Sequence, residues 1–295
     1  MEVPRPFVVS VLMVRNEFPV VVDTIGHLLH GVGVDGVIVT DNDSTDRTPD
    51  ALARLAARDD RVRIRHAAGG YRQAEVMTEM FREATAEGAD WVVPGDADEF
   101  LAIRSGTTIH DVLERAPHDT AALQVQVHNM VQSRSVHAEG PGAIATMRHR
   151  ARKVGSTENA RELVAGGLPY VRIAYPAKLI LRADPAVSLN QGQHSANDFT
   201  GAITPSDEIA ILHAPIRARR DLETRVEHAK RLGDDPTKSW HLRRLRDFGP
   251  DELDREWKLN SVGVMPRPGW IRDDRLRRIA ARQDSLRAEI LAELG

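Results

Sequence analysis

Three carboxylates fall within four residues at Asp96-Ala97-Asp98-Glu99, directly after the apolar run Trp91-Val92-Val93. Acids packed this closely repel one another unless a cation lies among them. Hard divalent ions such as magnesium or manganese suit such a cluster, because they take carboxylate oxygens and share the rest of their shell with substrate phosphates. An acidic turn with Asp96 as a helix cap is the plainer alternative. A second cluster, Asp41-Asn42-Asp43-Ser44-Thr45-Asp46, ends the run Val37-Ile38-Val39-Thr40 in the same way. Read as a calcium loop from Asp41 it fails, since Asp46 stands where the loop needs glycine and Leu52 where it needs glutamate.

These clusters need a scaffold, and the first hundred residues supply the pattern of one. Short β-branched runs alternate with helix-period stretches, which predicts an α/β domain with a mostly parallel sheet flanked by helices. Strands are expected at Phe7–Val14, Val37–Thr40, Arg61–His66 and Trp91–Pro94, with helices over Val20–His30, Asp50–Arg58 and about Tyr71–Glu87. Both acidic clusters then lie at the C-terminal edge of one sheet, where open α/β sheets bind ligands. Further strands are expected at Ala122–Val127, Tyr170–Leu181 and Glu208–Leu212, a turn at Glu139–Gly142, and helices over Ala218–Leu232 and Arg275–Leu294. This gives a sheet domain over residues 1–215 and a helical C-terminal extension over 216–295.

Other motifs are excluded by context. Gly31-Val32-Gly33-Val34-Asp35-Gly36 matches a dinucleotide fingerprint, but it follows a helix and precedes a strand, the reverse of what pyrophosphate binding requires. It reads as a connector. No Walker loop, zincin helix or hydrolase nucleophile elbow is present. Arg243-Arg244-Leu245-Arg246 lies among acids and leucines, and reads as a charged amphipathic face.

The 295 residues carry 40 Lys+Arg against 43 Asp+Glu, a net charge of −3 that gives no reason to expect a nucleic-acid partner. Zero cysteines exclude thiolate metal sites and a cysteine nucleophile. Phe7–Val14 is too short for a membrane span, and it lacks a cleavage pattern for a signal peptide. The expected compartment is the cytoplasm.

Val14-Arg15-Asn16-Glu17, then Val39 to Thr48, then Trp91 to Leu101 resemble, in order and spacing, the signature of family 2 glycosyltransferases with the Rossmann-related GT-A fold. The similarity is greatest to the subgroup whose metal motif reads D-x-D-E-F. A weaker similarity continues through Lys178-Leu179-Ile180, His194, Ile211-Leu212-His213, Arg217 and Arg225–Lys230. The resemblance implies a nucleoside-diphosphate-sugar donor, with Asp41 and Asp43 holding base and ribose and Val14, Arg15, Asn16 and Glu17 lining that pocket. It implies that Asp96 and Asp98 bind ribose and a manganese or magnesium ion, and that transfer to an acceptor hydroxyl inverts the anomeric carbon.

Inverting transfer requires a carboxylate base, yet the family's acceptor-side Glu-Asp pair is absent from this chain. Asp198, Glu158 and Glu99 are the candidates, with Asp198 favoured by its closeness to His194. His194 and His213 are candidate metal ligands, and Gln73 with Arg72 follows Gly69-Gly70, where a long polar side chain could reach base or diphosphate. The acceptor is expected to be a small molecule or a carrier-bound intermediate. The terminal amphipathic helix either packs on the core or pairs with a second copy of the chain. Two other functions fit the acidic clusters: a nucleotidyltransferase making sugar nucleotides, and a non-catalytic nucleotide- or metal-binding module. The first wants a glycine-rich phosphate loop after strand one, which Arg15-Asn16-Glu17-Phe18-Pro19 does not supply.

Overall fold

The computed structural model describes residues 5–67, 72–138, 140–152, 154–156, 158–231, 240–263 and 268–295. The elements run β1 (Val8–Val14), α1 (Val20–His27), β2 (Gly36–Asp41), α2 (Thr48–Arg58), β3 (Val62–His66), α3 (Gln73–Ala86), β4 (Trp91–Gly95) and β5 (Glu99–Ile103). Next come α4 (Ile109–Glu114), β6 (Thr120–Ser133), β7 (His149–Ala151), α5 (Ala160–Ala165), β8 (Lys178–Arg182), β9 (Ser188–Leu189), β10 (Ala196–Asn197) and β11 (Ala202–His213). The chain finishes with α6 (Asp221–Arg231), α7 (Trp240–Arg243), α8 (Pro250–Asn260), β12 (Ser261–Val262), β13 (Trp270–Arg272), α9 (Arg275–Arg282) and α10 (Asp284–Leu294).

These elements form two compact units, one of Met1–Val127, Pro176–Leu212 and Arg282–Gly295, the other of His128–Tyr175 and His213–Ala281. That division differs from the expected boundary at 215 and 216. The last helix belongs to the first unit: Arg287 of α10 pairs with buried Asp23 of α1, and Arg58 of α2 pairs with Glu293. Gln283, between α9 and α10, is where the two C-terminal helices part.

The first unit is built on β1, whose seven residues are all buried. β1 pairs in parallel with β2 on one side and β4 on the other, and β3 continues the parallel set beyond β2. β8 then joins β4, and β6 joins β8, both antiparallel. This is a mixed α/β sheet flanked by helices, as expected. α3 covers one face, where Met77, Met80 and Phe81 pack with Val9, Val11 and Val92. Each such fully buried side chain contributes about 1.5–3 kcal/mol.

The register aligns Val14, Asp41 and His66, and pairs Leu12 with Gly95. Both acidic clusters therefore leave the same edge of the sheet. Pro94 has no N–H to give a ladder, and the pairing of β4 with β8 covers only Trp91 and Val92, so β4 is open toward β8 where Asp96 begins. Since β8 runs antiparallel, its first residue, Lys178, lies at this same edge.

Some expected elements differ. α1 ends at His27 and continues as one π-helical turn, Leu28–Val32, closed by Gly33 in the left-handed region (φ 84°). The expected strand Tyr170–Leu181 is interrupted by Pro176: Tyr170–Arg172, which follows Pro169, is a 3-10 turn, and β8 starts only at Lys178. Tyr71, Glu139 and Leu232, which end or begin expected elements, lie outside the described residues. In the second unit Val131, Tyr170, Val171, Leu222 and Trp257 share a core. α7 ends at Arg243, so Arg244, Leu245 and Arg246 lie in a turn and not on the expected helix face, and Arg244 pairs with Glu256 of α8.

His27 gives the fold a pH dependence. Its Nε2 donates to the Leu101 carbonyl at 2.7 Å. Burial pushes its pKa down to about 4, the carbonyl contact opposes this, and Arg282 adds to it. Between this value and the ordinary 6.5 the unfolded chain binds the proton that the folded chain refuses, so stability falls as pH drops through that window. The expected loss is about 3 kcal/mol, at 1.36 kcal/mol per pH unit. Urea denaturation of wild type and His27→Asn at pH 7 and pH 4.5 checks this, since the variant should lose much less stability on acidification.

Candidate active site

The edge of the first unit gathers most of the expected residues. Asp96 to Glu99 make a tight turn between β4 and β5: the Glu99 N–H donates to the Asp96 carbonyl at 3.1 Å, and the Asp96 N–H donates to Glu99 Oε2 at 3.3 Å. Under this turn lies Lys178, only 1% exposed. Its Nζ donates to Asp96 Oδ2 at 2.7 Å, Glu99 Oε2 at 2.6 Å and Gln193 Oε1 at 3.0 Å. Every ammonium proton has a partner. Burial opposes the Lys178 charge, but Asp96 and Glu99 more than offset it and hold its pKa above the ordinary 10.5, so it stays protonated throughout the neutral range.

Glu99 is 4% exposed and committed to Lys178 and to the turn. This leaves its carboxylate buried beneath the turn. Gln73, expected against base or diphosphate, instead begins α3 and donates from Nε2 to Asp96 Oδ1 at 3.2 Å, while its Oε1 accepts the Gly192 N–H at 3.1 Å. Asp96 is thus held from both sides. Asp98 is half-buried beside it.

The second acidic cluster is stitched to the end of β1. Asn16, at φ 56°, accepts the Thr45 N–H on Oδ1 at 2.7 Å and donates its own N–H to Ser44 Oγ at 2.9 Å. The Glu17 N–H donates to Thr48 Oγ1 at 2.9 Å, and Asp46 caps α2 by accepting the Thr48 N–H at 2.9 Å. The run after Val14 and the run after Asp41 therefore form one rigid rim, with Arg15 exposed on it. Asp43 is exposed and takes φ 54°. Asp41 is 5% exposed, and its Oδ1 has no hydrogen-bond partner. The neighbouring Asn42 Nδ2 is also buried without a partner. An unpaired acceptor beside an unpaired donor is costly in a folded protein unless a ligand supplies the missing groups.

The loop between β9 and β10 closes over Lys178 through Gln193, which sits at φ 55°. His194 follows it, with Nδ1 3.3 Å from the Ala177 carbonyl oxygen. Asp198 lies just beyond, exposed, at φ 62°, accepting a hydrogen bond from Ser188 Oγ at 3.2 Å. The other two candidates belong to the second unit. Glu158 is exposed near Ser156. His213 is buried, its Nδ1 2.8 Å from Asn129 Oδ1 and its ring 4.6 Å from that of Tyr175.

Lys178, Gln193 and Asn42 are the functional candidates that residue types alone do not single out. Lys178 lies 82 and 79 positions from its two acids, so only strand order reveals the contact.

Among the described residues no three His, Asp or Glu side chains form a preassembled metal cage. Magnesium and manganese sites built on one or two carboxylates plus substrate phosphates do not need one. Asp98, half-buried beside Asp96, is a candidate carboxylate for such a site. The residues fit an ion shared with a diphosphate.

A family model described as glycosyl transferase family 2 matches residues 10–170, more than half of the chain. No curated protein matches the sequence. Among solved structures, residues 1–349 of TarS from S. aureus align with TM-score 0.40 and 12% identity over 81% of this chain and 68% of that one. A mannosyltransferase from Pyrobaculum calidifontis, in complex with GDP-Man and Mn2+, aligns with TM-score 0.40 and 16% identity over 98% and 75%. Glucosyl-3-phosphoglycerate synthase from Mycobacterium tuberculosis, with Mn2+, UDP and phosphoglyceric acid, aligns with TM-score 0.31 and 17% identity over 60% and 56%.

Proposed function

The chain belongs to glycosyl transferase family 2, and from that premise we propose that it moves a sugar from a nucleoside-diphosphate sugar to an acceptor hydroxyl with inversion, assisted by a manganese or magnesium ion. Family membership favours this over a nucleotidyltransferase or a non-catalytic module. The observation that carries the donor site is the buried, unpartnered pair Asp41 Oδ1 and Asn42 Nδ2 at the sheet edge. A nucleobase edge offers a donor beside an acceptor, which would satisfy both atoms. Asp43 and the rim from Val14 to Glu17 would line the same pocket.

Asp96, fixed by Lys178 and Gln73, would accept from the ribose hydroxyls. Asp98 would hold the ion together with the diphosphate, and His194 is a candidate further ligand. When bound, the ion supplies Lewis-acid stabilisation of charge on the departing diphosphate. In the transfer itself the acceptor oxygen attacks the anomeric carbon, the bond from that carbon to the diphosphate oxygen breaks, and the electron pair leaves with the nucleoside diphosphate. The acceptor proton passes to a carboxylate. Asp198 suits this role because it is exposed in the same unit as Asp96, on a hairpin that Gln193 anchors to Lys178. Glu99, spent on Lys178, is assigned to positioning.

Two measurements test this. Asp41→Ala should weaken nucleoside-diphosphate binding by roughly 10- to 100-fold, the loss of one hydrogen bond to a charged group; isothermal titration that shows unchanged affinity removes Asp41 from the base site. Asp198→Asn should leave that affinity within twofold and lower the transfer rate by roughly 100-fold or more. Full activity in Asp198→Asn removes the base role from Asp198.

A further inference from the structure

The second unit contains a cavity of about 220 Å³ whose lining includes Arg134, Arg172, Lys258, Ser261, Pro169 and Trp270. Several other arginines of that unit are paired with acids. Arg148 pairs with Asp274 at 2.6 Å, Arg150 with Asp273 at 3.0 Å, Arg219 with Asp254 at 2.7 Å and Arg275 with Asp273 at 2.7 Å. Among the described residues Arg134 donates only to neutral oxygens: Ser261 Oγ at 3.2 Å, the Lys258 carbonyl at 2.6 Å and the Ser261 carbonyl at 3.3 Å. Arg172 has no acid partner among them, and its Nε is buried with no hydrogen bond at all.

The Arg172 guanidinium is nevertheless held in place. It lies 5.8 Å from the centre of the Trp270 ring, and Gly269, at φ 105°, lets the backbone pass flat against it. The surrounding strands are fixed as well, with Trp270 of β13 paired to Ala151 of β7. Both arginines are half-buried, and no carboxylate is among the residues that line the cavity. A guanidinium fork matches the geometry of a tetrahedral oxyanion, and arginine is chosen over lysine where that match matters.

We propose that this cavity is a phosphate-binding site, taking the phosphate group of a small molecule against Arg134 and Arg172 with Lys258 at its mouth. Its volume lies below the ~300–1,000 Å³ of sites for drug-sized ligands, so the ligand is a phosphate bearing a few carbon atoms. The site stands on the geometry of the second unit and does not depend on the transferase reading.

Titration of the full chain with inorganic phosphate, glycerol 3-phosphate and acetate, at constant ionic strength, tests this by heat of binding and tryptophan fluorescence. The two phosphates should bind saturably and acetate should not. Arg172→Gln should weaken phosphate binding at least tenfold, and Trp270→Phe should remove most of the fluorescence change while keeping the heat. That last result separates this cavity from any phosphate held at the sheet edge of the first unit. Absence of saturable phosphate binding, equal affinity for acetate, or unchanged affinity in Arg172→Gln overturns the proposal. Should Arg172→Gln fail to fold by circular dichroism, the exposed Lys258→Ala replaces it. A severalfold loss is then expected, and no loss counts against the site.

Discussion

Lys178→Met is expected to cost about 3–5 kcal/mol of stability, the usual result of removing one partner from a buried ion pair. The change leaves Glu99 buried without its cation and frees Asp96 from one of its two anchors. Urea denaturation should show the loss as a lower midpoint with an unchanged slope. The double variant Lys178→Met with Glu99→Leu separates stability from function. Removing both charges of the pair should restore most of the stability, since apolar replacements of a whole pair are often neutral. Transfer should stay depressed at least tenfold, because Asp96 still lacks its Lys178 hydrogen bond. Recovery of full activity in the double variant would show that Lys178 serves the fold alone.

Asp98→Ala is expected to have the largest effect on turnover, about a thousandfold or more, with little change in stability. Asp98 is half-buried beside Asp96 at the sheet edge, so on this reading its loss removes a carboxylate that would hold the divalent ion. Lewis-acid help to a leaving diphosphate amounts to several kcal/mol, and each 1.36 kcal/mol is tenfold in rate. Donor binding in the variant should also stop responding to manganese. An Asp98→Ala protein whose nucleotide affinity is the same with manganese and with chelator, while that of wild type differs, supports the assignment. A manganese response that survives in the variant moves the ion elsewhere.

How far the sequence discloses this arrangement depends on the range of the contacts. Strands β1, β2 and β4 are legible because they are buried on both faces and read as apolar, largely β-branched runs, β3 because it alternates, and the acidic clusters after β2 and β4 follow at once. β5 is hidden, because its first residue is the last acid of the cluster and reads as a turn. The misread strand at Tyr170–Leu181 shows apolar content outweighing Pro176, which in fact divides it. Lys178 illustrates the larger limit: the sequence places it inside an expected strand and in a stretch that resembles the family, but only the antiparallel entry of β8 beside β4 carries it under Asp96 and Glu99. The last helix is similar, since its place on the first unit rests on Arg287 meeting Asp23 across 264 positions. Catalytic types were visible in the chain, whereas the groups that hold them were not.

The most direct test of a nucleotide-sugar donor site at this sheet edge is a thermal-shift panel of UDP, GDP, dTDP, ADP and CDP, each with manganese and with chelator. A ligand that binds only the folded chain raises its melting temperature. The expected result is an upward shift for one nucleotide that requires manganese and disappears in Asp98→Ala. No shift for any nucleotide under either condition would contradict the donor site and leave both acidic clusters as turns.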